Sequence, residues 1–254
     1  MASTGLGDFI LKLDEAGELT RIGAEADPIL EIAEITDRVS KSPDGGKALL
    51  FENLKGSGFP VVTNMFGSRR RVCMALGIDD LHELSIRMER LLSSVPGDSP
   101  ADRIKGISSV PEFARSAPQV VSTGPCQEVV RMEPDLDIFP ILKNLEGDGA
   151  PDRDGRFLTL PVVTTVDPDN GHINSGIYRV EVMDKDRVSI HWRETSGGAG
   201  HWRKYRERGE RMPVSIALGG DPAATFAASV PLPAQLDEMY LAGFLKGESV
   251  ELVN

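Results

Sequence analysis

Two turn-forming segments in the second half of the chain most constrain its fold. The first, Asp167-Pro168-Asp169-Asn170-Gly171, separates apolar runs at residues 157–166 and 176–183. The second, residues 183–186, separates the latter run from residues 187–192. Pro fixes φ, Asn and Gly tolerate positive φ, and the flanking runs are rich in β-branched residues. The sequence therefore predicts two consecutive β-hairpins.

The first 80 residues have a different pattern, in which helical and strand periodicities alternate. Apolar residues recur at helical spacing in three stretches, and Gly17 and Asp27-Pro28 stand where a helix would end and the next begin. The predicted helices are residues 9–16, 28–39 and 81–92, and the predicted strands are residues 19–22, 48–52 and 60–64. This alternation indicates an α/β unit.

Residues 93–122 are rich in Pro, Ser and Gly and weakly periodic, which is typical of a connection. We therefore expect a domain boundary near residue 110, giving an N-terminal domain of residues 1–110 and a second domain of residues 111–254. The second domain is predicted to contain further strands at residues 120–121, 128–132 and 214–218. Helices are predicted at residues 201–208 and from Asp221-Pro222 onward.

Composition excludes several classes of function. The chain has 254 residues and a formal net charge of −11, which disfavours nonspecific binding to nucleic acid. It has no apolar run near the ~20 residues of a membrane span and no basic, apolar leader, so a cytoplasmic location without stable membrane insertion is expected. Cys73 and Cys126 have no metal-site spacing, which indicates neither a disulfide framework nor a zinc site.

Residues 174–179 contain the most informative chemistry. An amide oxygen, a glycine and a guanidinium lie within six residues, from Asn174 to Arg179. The Asn oxygen suits Mg²⁺ or Mn²⁺ when a carboxylate completes the shell, and Glu238 is the candidate partner. On a regular strand Asn174 and Arg179 would face opposite sides, so a shared site requires a bend, for which Ser175-Gly176 is the candidate position.

An anionic ligand of so acidic a protein would need a local cationic cluster. The middle of the chain has such a cluster, formed by Arg179, Arg187, Arg193, Arg203 and Lys204. Each of these residues is equally well explained as part of a solvated basic face. Residues 197–200 could approach a phosphate but lack phosphate-loop spacing, so a flexible loop is the favoured interpretation. The residues alone thus indicate an anion and metal site on a β-rich domain.

Six segments resemble the UbiD-type decarboxylases. They are EIAEITDR (31–38), ALLFEN (48–53), PVVTNMFG (60–67), TLP (159–161), NSGIYR (174–179) and PVSIALGGD (213–221). The resemblance implies an α+β fold with an N-terminal α/β domain and a central split β-barrel like that of flavin reductases. It also implies reversible decarboxylation of aromatic or α,β-unsaturated acids, with prenylated FMN, Mn²⁺ or Mg²⁺, and optionally K⁺ as cofactors.

Site residues follow from the same resemblance. Asn174 and Glu238 match the family's metal ligands, Ile177-Tyr178-Arg179 match its cofactor-contacting triplet, and Arg179 matches the arginine that meets the substrate carboxylate. An ungapped count places His191-Trp192-Arg193 and Ser196-Gly197 on further cofactor contacts. Thr159 and Ser229 are weaker candidates of the same kind.

Two departures from the family pattern are apparent. Thr195 stands where the family has a histidine near the metal, and neither His191 nor His201 is an obvious substitute. The family also continues past a segment like residues 248–254 into the catalytic acid and a C-terminal oligomerisation domain. We therefore expect either a truncated chain or a natural split enzyme with a complementary C-terminal subunit, and low turnover by this chain alone.

The expected partners are a small carboxylic acid substrate, a flavin prenyltransferase that supplies the cofactor, and either further copies of the chain or the complementary subunit. Two other functions remain open. One is a non-catalytic flavin- or phosphate-binding partner subunit. The other, an ordinary flavin reductase, leaves the N-terminal segments and the Asn174 and Glu238 pair unexplained.

Overall fold

A computed structural model describes residues 5–97, 99, 102–103, 106–151, 154–232 and 236–253. It has a mixed α+β fold, as predicted. Within those ranges, no helix combines the length and the apolar character that crossing a bilayer would require.

The N-terminal part confirms the predicted alternation of helices and strands. Its elements are α1 (Leu6–Glu15), β1 (Leu19–Ala26), α2 (Glu31–Ser40), β2 (Ala48–Leu54), β3 (Val61–Thr63), α3 (Arg69–Leu76) and α4 (Leu81–Ser93). The strands form a sheet in the order β1-β2-β3, with β1 parallel to β2 and β3 antiparallel to β2. Phe9 and Leu13 of α1 are buried in the core against it, as their helical spacing predicts.

The start of α2 differs from the prediction. The Asp27 carboxylate accepts a hydrogen bond from the Ile29 N–H at 2.9 Å, which closes a local turn instead of capping a helix. Leu30 then adopts a φ of 69°, and the helix begins at Glu31. Asp27-Pro28 is therefore a turn that precedes the helix.

Arg71 on α3 ties the N-terminal part together. Its side chain is fully buried, and its guanidinium donates hydrogen bonds to the carbonyls of Asn64 (3.2 Å), Gly45 (3.3 Å) and Gly46 (2.5 Å) and to Glu18 Oε2 (3.0 Å). These bonds fix the turn at Pro43–Gly45 against the start of α3.

The second half of the chain contains eight strands and four helices within the described ranges. They are α5 (Pro111–Ala114), β4 (Gln119–Val121), β5 (Phe157–Leu158), β6 (Val162–Val166), β7 (Ile173–Ile177), β8 (Arg179–Val182), β9 (Val188–His191), α6 (Gly197–Arg208), β10 (Val214–Ala217), α7 (Pro222–Ala227), α8 (Glu238–Lys246) and β11 (Glu251–Val253). Three sheets result, with strand orders β10-β6-β7, β5-β8-β9 and β11-β4.

Both hairpins are confirmed, since β6 pairs antiparallel with β7 and β8 pairs antiparallel with β9. The run at residues 176–183, however, is two strands. Tyr178 separates β7 from β8, and these strands belong to different sheets. The predicted bend therefore occurs at Tyr178, not at Ser175-Gly176. Residues 157–166 are likewise divided into β5 and β6, with Leu160 at a φ of 52° between them.

Two further expectations were wrong. Residues 128–132 form no strand, and α6 begins at Gly197 because Ser196 Oγ accepts a hydrogen bond from the Ala199 N–H. The glycines of residues 197–200 are thus the first turn of a helix. Since the strands described here form separate sheets and no closed barrel, the split barrel stays a prediction.

The largest hydrophobic core includes residues from both halves of the chain. Leu76 and Leu91 of the N-terminal part pack in one cluster with Phe113, Ala227 and Phe244 of the second. Arg87 on α4 also donates a hydrogen bond to the Phe244 carbonyl at 2.7 Å. The division at residue 110 stays a prediction.

Candidate functional site

The structure brings Asn174 and Glu238 into direct contact. Asn174 Nδ2 donates to Glu238 Oε1 at 3.0 Å, and the Ser175 N–H donates to Glu238 Oε2 at 2.9 Å. Asn174 lies on β7, and Glu238 is the first residue of α8, which Asp237 caps through the Met239 N–H. Two residues 64 positions apart are thus held together by the docking of one helix on one strand.

Tyr178 connects this pair to the start of α6. Its hydroxyl donates to Asn174 Oδ1 at 3.0 Å and accepts the Gly198 N–H at 3.3 Å. Its ring packs edge-on against Trp192, with centroids 4.7 Å apart. Tyr178 lies where the chain passes from one sheet to the next, between β7 and β8. From this position its hydroxyl fixes the orientation of the Asn174 amide.

Two glycines of α6 permit this close packing. A methyl group at Gly197 would lie 2.6 Å from Asn174 Cγ, and one at Gly198 would lie 2.2 Å from Trp192 Cζ3. Gly176 is similarly crowded by the Tyr178 ring, at 2.7 Å. We call Asn174, Tyr178, Trp192, Gly197 and Glu238 the Asn174 cluster.

Burial disfavours ionisation of Glu238, although its carboxylate accepts hydrogen bonds from Asn174 and Ser175. Its side chain is buried, and burial raises the pKa of its carboxyl above the ordinary value, against the opposing effect of the Ser175 N–H. Burial also raises the pKa of the neighbouring Asp237. A cation beside Glu238 would relieve this cost, and oxygen donors from Asn and Glu suit a hard divalent ion.

This donor set is small within the described residues. No group of three or more His, Cys, Asp or Glu side chains there has an arrangement that could hold a metal ion. Asn174 Oδ1 and the Glu238 carboxylate are oxygen donors of the kind a hard divalent ion takes, but in this structure Asn174 directs its Nδ2 at Glu238 and its Oδ1 at Tyr178.

Arg179 lies in a second cluster, on the first residue of β8. Its guanidinium donates to Asp148 Oδ2, and its Cζ lies 4.1 Å from the centroid of the Phe157 ring. The hydrogen bond from Arg179 lowers the pKa of the Asp148 carboxyl. More than half of the Arg179 side chain is exposed, so the guanidinium is accessible while being held from two sides.

His191 and Glu181 complete the Arg179 cluster, which we define as Arg179, Asp148, Phe157, His191 and Glu181. His191 is the cross-strand partner of Arg179, and its ring meets Phe157 edge-on at 5.8 Å. Glu181 is buried; its Oε2 lies 3.4 Å from His191 Nε2, and its Oε1 accepts the Ala150 N–H at 2.9 Å. Asp148 therefore pairs with Arg179 directly, whereas Glu181 lies beside His191.

The other predicted residues have simpler surroundings. The Ile177 N–H donates to the Ala228 carbonyl, and the Arg193 carbonyl accepts hydrogen bonds from Ser196 N and Oγ. Thr195, Arg193 and Ser229 are exposed. The Thr159 hydroxyl lies 3.5 Å from the Phe157 carbonyl.

His201 is buried on α6, away from the direct contacts of both clusters. Its Nδ1 lies 2.9 Å from Thr165 Oγ1, and its ring meets that of His172 edge-on with centroids 6.3 Å apart. Burial lowers the pKa of its imidazole. It is a core histidine in this structure, with Thr165 and His172 as its neighbours.

Three residues of the Arg179 cluster were not identified from sequence: Asp148, Phe157 and Glu181. Glu181 had a usable signal, because it is an acid between Val180 and Val182 in a strand whose side chains are buried. Asp148 lies between Gly147 and Gly149, both at positive φ. Its approach to Arg179 depends on this loop and carries no sequence periodicity.

A cavity of about 1180 Å³ adjoins the Arg179 cluster. Phe157 is on its wall together with Thr159 and Leu160, and residues of α2, β3 and the segment 139–146 form much of the rest. The same Phe157 ring that supports the Arg179 guanidinium therefore borders an apolar space between the two halves of the chain.

Family comparison identifies the chain. The model described as 3-octaprenyl-4-hydroxybenzoate carboxy-lyase Rift-related domain matches residues 119–254, and the corresponding N-terminal domain model matches residues 10–91. The chain belongs to the UbiD family. Its resemblance in six separate segments is thereby confirmed.

Curated relatives show the same relationship over nearly the whole chain. A functionally uncharacterised protein of Aquifex aeolicus is 42% identical over 249 residues, which are 98% of this chain and 50% of the relative. A second such protein, from Archaeoglobus fulgidus, is 42% identical over 255 residues, covering 99% of this chain and 50% of that protein. The chain therefore spans about half the length of the curated relatives it matches.

Solved structures of UbiD-class enzymes share the fold. Vanillic acid decarboxylase of Sedimentibacter hydroxybenzoicus in its closed form superposes with a TM-score of 0.83 at 26% identity, covering 100% of this chain and 51% of that one. An evolved dimeric form of HmfF from Pelotomaculum thermopropionicum, in complex with prFMN, gives 0.80 at 26% identity, covering 99% and 53%. The fold is thus that of roughly half of a UbiD-class decarboxylase chain.

Proposed function

We propose that this chain is the cofactor-binding part of a UbiD-type reversible, non-oxidative decarboxylase. Its substrate would be an aromatic or α,β-unsaturated carboxylic acid, and its cofactors prenylated FMN and Mn²⁺ or Mg²⁺. The observation that carries the proposal is the Asn174 cluster, in which the buried Glu238 carboxylate accepts a hydrogen bond from the Asn174 amide and Tyr178 orients the Asn174 amide oxygen. Membership of the UbiD family and the prFMN complex of HmfF support it.

The Asn174 cluster is proposed to hold the metal and the cofactor phosphate. Asn174 Oδ1 and the Glu238 carboxylate would be metal donors, and Tyr178 and Gly197 would keep the amide in place. Ile177, Trp192, Arg193 and Ser196 are proposed to line the cofactor, as are His191 and, more weakly, Thr159 and Ser229. K⁺ is an optional additional ion.

Arg179 is proposed to bind the substrate carboxylate. The exposure of Arg179 supports this role, because its pair with Asp148 uses Nη2 and a guanidinium has further N–H donors suited to a carboxylate. When bound, prenylated FMN supplies the electron sink that loss of CO₂ requires. The contribution of the chain is to orient the acid through Arg179 and to border the reacting face with Phe157 and the adjoining cavity.

Proton transfer is proposed to depend on a second polypeptide segment, because the chain spans half of its relatives' length. That segment could belong to a longer chain or to a complementary subunit, and the assembly could include further copies of this chain. A flavin prenyltransferase would supply the cofactor, in the cytoplasm. The alternative is a non-catalytic flavin- or phosphate-binding subunit, which the same half-length match favours.

The test is to co-express the chain with a flavin prenyltransferase and measure the flavin absorption spectrum and metal content. We expect bound flavin and close to one divalent metal ion per chain. Glu238→Gln should lose the metal, whereas Glu210→Gln, which alters an exposed carboxylate, should retain it. Full metal content in the Glu238 variant would contradict the proposed site, and an absence of flavin would contradict the function.

A decarboxylation assay separates the enzyme from the alternative. The loaded chain alone should show little turnover, and adding the remaining part of a full-length relative should raise it. Family-like rates without any second polypeptide would contradict the proposed dependence. Failure of turnover in the complete assembly would favour the non-catalytic subunit.

A further inference from the structure

Residues 128–132, Glu-Val-Val-Arg-Met, form an exposed segment that contains three large apolar side chains. Val129 is 77% exposed, Val130 71% and Met132 88%, which are the highest values among the exposed large hydrophobic residues of the described chain. Single exposed apolar residues are ordinary, but three within four positions are the mark of an interaction site. We call residues 128–132 the EVVRM segment.

The EVVRM segment has the sequence of a β-strand without the pairing of one. β-Branched residues favour strands, yet no regular secondary structure is assigned to residues 128–132. None of the backbone N–H groups of residues 129–132 donates a hydrogen bond to a backbone carbonyl within the described ranges. Donors and apolar side chains are thus both available for a partner strand.

The neighbouring sheet is incomplete in the same way. β4 pairs only with β11 among the described strands, and the pair is parallel. Parallel sheets are normally covered on both faces and contain more strands, whereas Val120 of β4 is 64% exposed. Gly124 lies against Val253 of β11, since a methyl group there would be 2.7 Å from Val253 Cγ2. The EVVRM segment thus begins seven residues after the end of β4, a strand whose sheet has only one other described member, β11.

We propose that the EVVRM segment is the docking strand for the other half of a family-length UbiD protein, which pairs with it as an added β-strand and covers Val129, Val130 and Met132. The occupant is indicated by length, because the chain covers 50% of its curated relatives and 51% of the superposed vanillic acid decarboxylase chain. Addition of a strand uses the unpaired amides for affinity and the alternating side chains for register. This inference rests on the part of the proposed function that assigns half of the enzyme to a second polypeptide segment, and not on the decarboxylation chemistry.

The experiment is amide hydrogen exchange on two proteins, without flavin, metal or substrate. One is this chain, and the other is a hybrid in which the half of the A. aeolicus relative that this chain does not match continues from Asn254. The amides of residues 129–132 should exchange at least ~100-fold more slowly in the hybrid, as expected of paired strand amides. The same measurement on the intact A. aeolicus protein, at its equivalent segment, is a second readout.

Matched variants test the side chains. Val130→Asp with Met132→Asp should remove the protection in the hybrid, whereas Leu11→Asp, which alters a 58% exposed leucine on α1, should keep it. Equal exchange of residues 129–132 in the chain and in the hybrid, or an unprotected segment in the A. aeolicus protein, would overturn the proposal. So would concentration-dependent protection in this chain alone, which would assign the surface to a second copy. If a complete assembly protected residues 129–132 from exchange but did not decarboxylate, the proposed function would be contradicted and the proposed docking strand would not.

Discussion

Replacing Gly197 with Ala tests whether the position of the Asn174 amide matters for metal binding. The new methyl group would lie 2.6 Å from Asn174 Cγ, 2.7 Å from Nδ2 and 2.8 Å from Oδ1. Because uncrowded carbon contacts are about 3.5–4.0 Å, the amide must move by about 1 Å. Such a movement would lengthen the 3.0 Å hydrogen bonds to Glu238 and Tyr178 beyond their useful range.

The helix itself should tolerate the change. Gly197 is the first residue of α6, and Ala is the better helix former by up to about 1 kcal/mol, which offsets part of the overpacking cost of about 1–3 kcal/mol. Gly200→Ala is the matched control, since a methyl group there meets only Arg203 Nη2, at 4.0 Å. Both variants should fold.

The assay is a calorimetric titration of each variant with Mn²⁺ in the presence of FMN. Thermal unfolding of the same variants is measured in parallel. Gly197→Ala should weaken Mn²⁺ binding about 10- to 100-fold, the usual cost of disturbing groups that orient a metal ligand, and Gly200→Ala should leave it unchanged. Wild-type affinity in Gly197→Ala would refute the argument that the oriented Asn174 amide holds the metal. Equal weakening of Mn²⁺ binding in both variants would show that the loss comes from a general disturbance of α6 and not from the Asn174 amide.

Three further predictions concern stability. Arg71→Met should lower the free energy of unfolding by about 3–5 kcal/mol in urea, because it leaves the buried Gly46 carbonyl without its donor and Glu18 with Arg70 as its remaining ion-pair partner; a loss under ~1 kcal/mol would contradict the role of Arg71. Gly198→Ala should cost about 1–3 kcal/mol and alter the fluorescence of Trp192, which it would crowd at 2.2 Å; an unchanged spectrum and stability would argue against this packing. Since Arg179 lowers the pKa of Asp148, that pair stabilises the fold above the unfolded pKa of about 3.9 and ceases to do so as pH falls through the lower folded value. Wild type should therefore lose more stability than Asp148→Asn between about pH 5 and pH 2; parallel acid-unfolding curves would contradict the pairing.

Local sequence signals predicted the elements that depend on neighbours along the chain. The turn at residues 167–171 places β6 beside β7, Gly17 follows α1, and Asp221 caps α7. Each rests on φ preferences or on a side chain that bonds to backbone within a few residues. Where two local signals competed, prediction failed: Asp27 closes a turn instead of capping a helix, and Ser196 starts α6 four residues before the predicted start.

The residues of the candidate site were identifiable from sequence mainly through the family resemblance, and their arrangement was not. Asn174 and Glu238 meet because α8 docks on β7, and Asn174 and Arg179 fall in separate clusters because Tyr178 separates β7 from β8. Asp148 reaches Arg179 from a loop 31 residues away along the chain. Sequence by itself determined which groups are available and which local turns form, because those depend on short-range sterics and hydrogen bonds. Only the tertiary structure decided which groups share a site and that the Glu238 carboxylate is buried, because contacts and burial arise only when distant elements pack together.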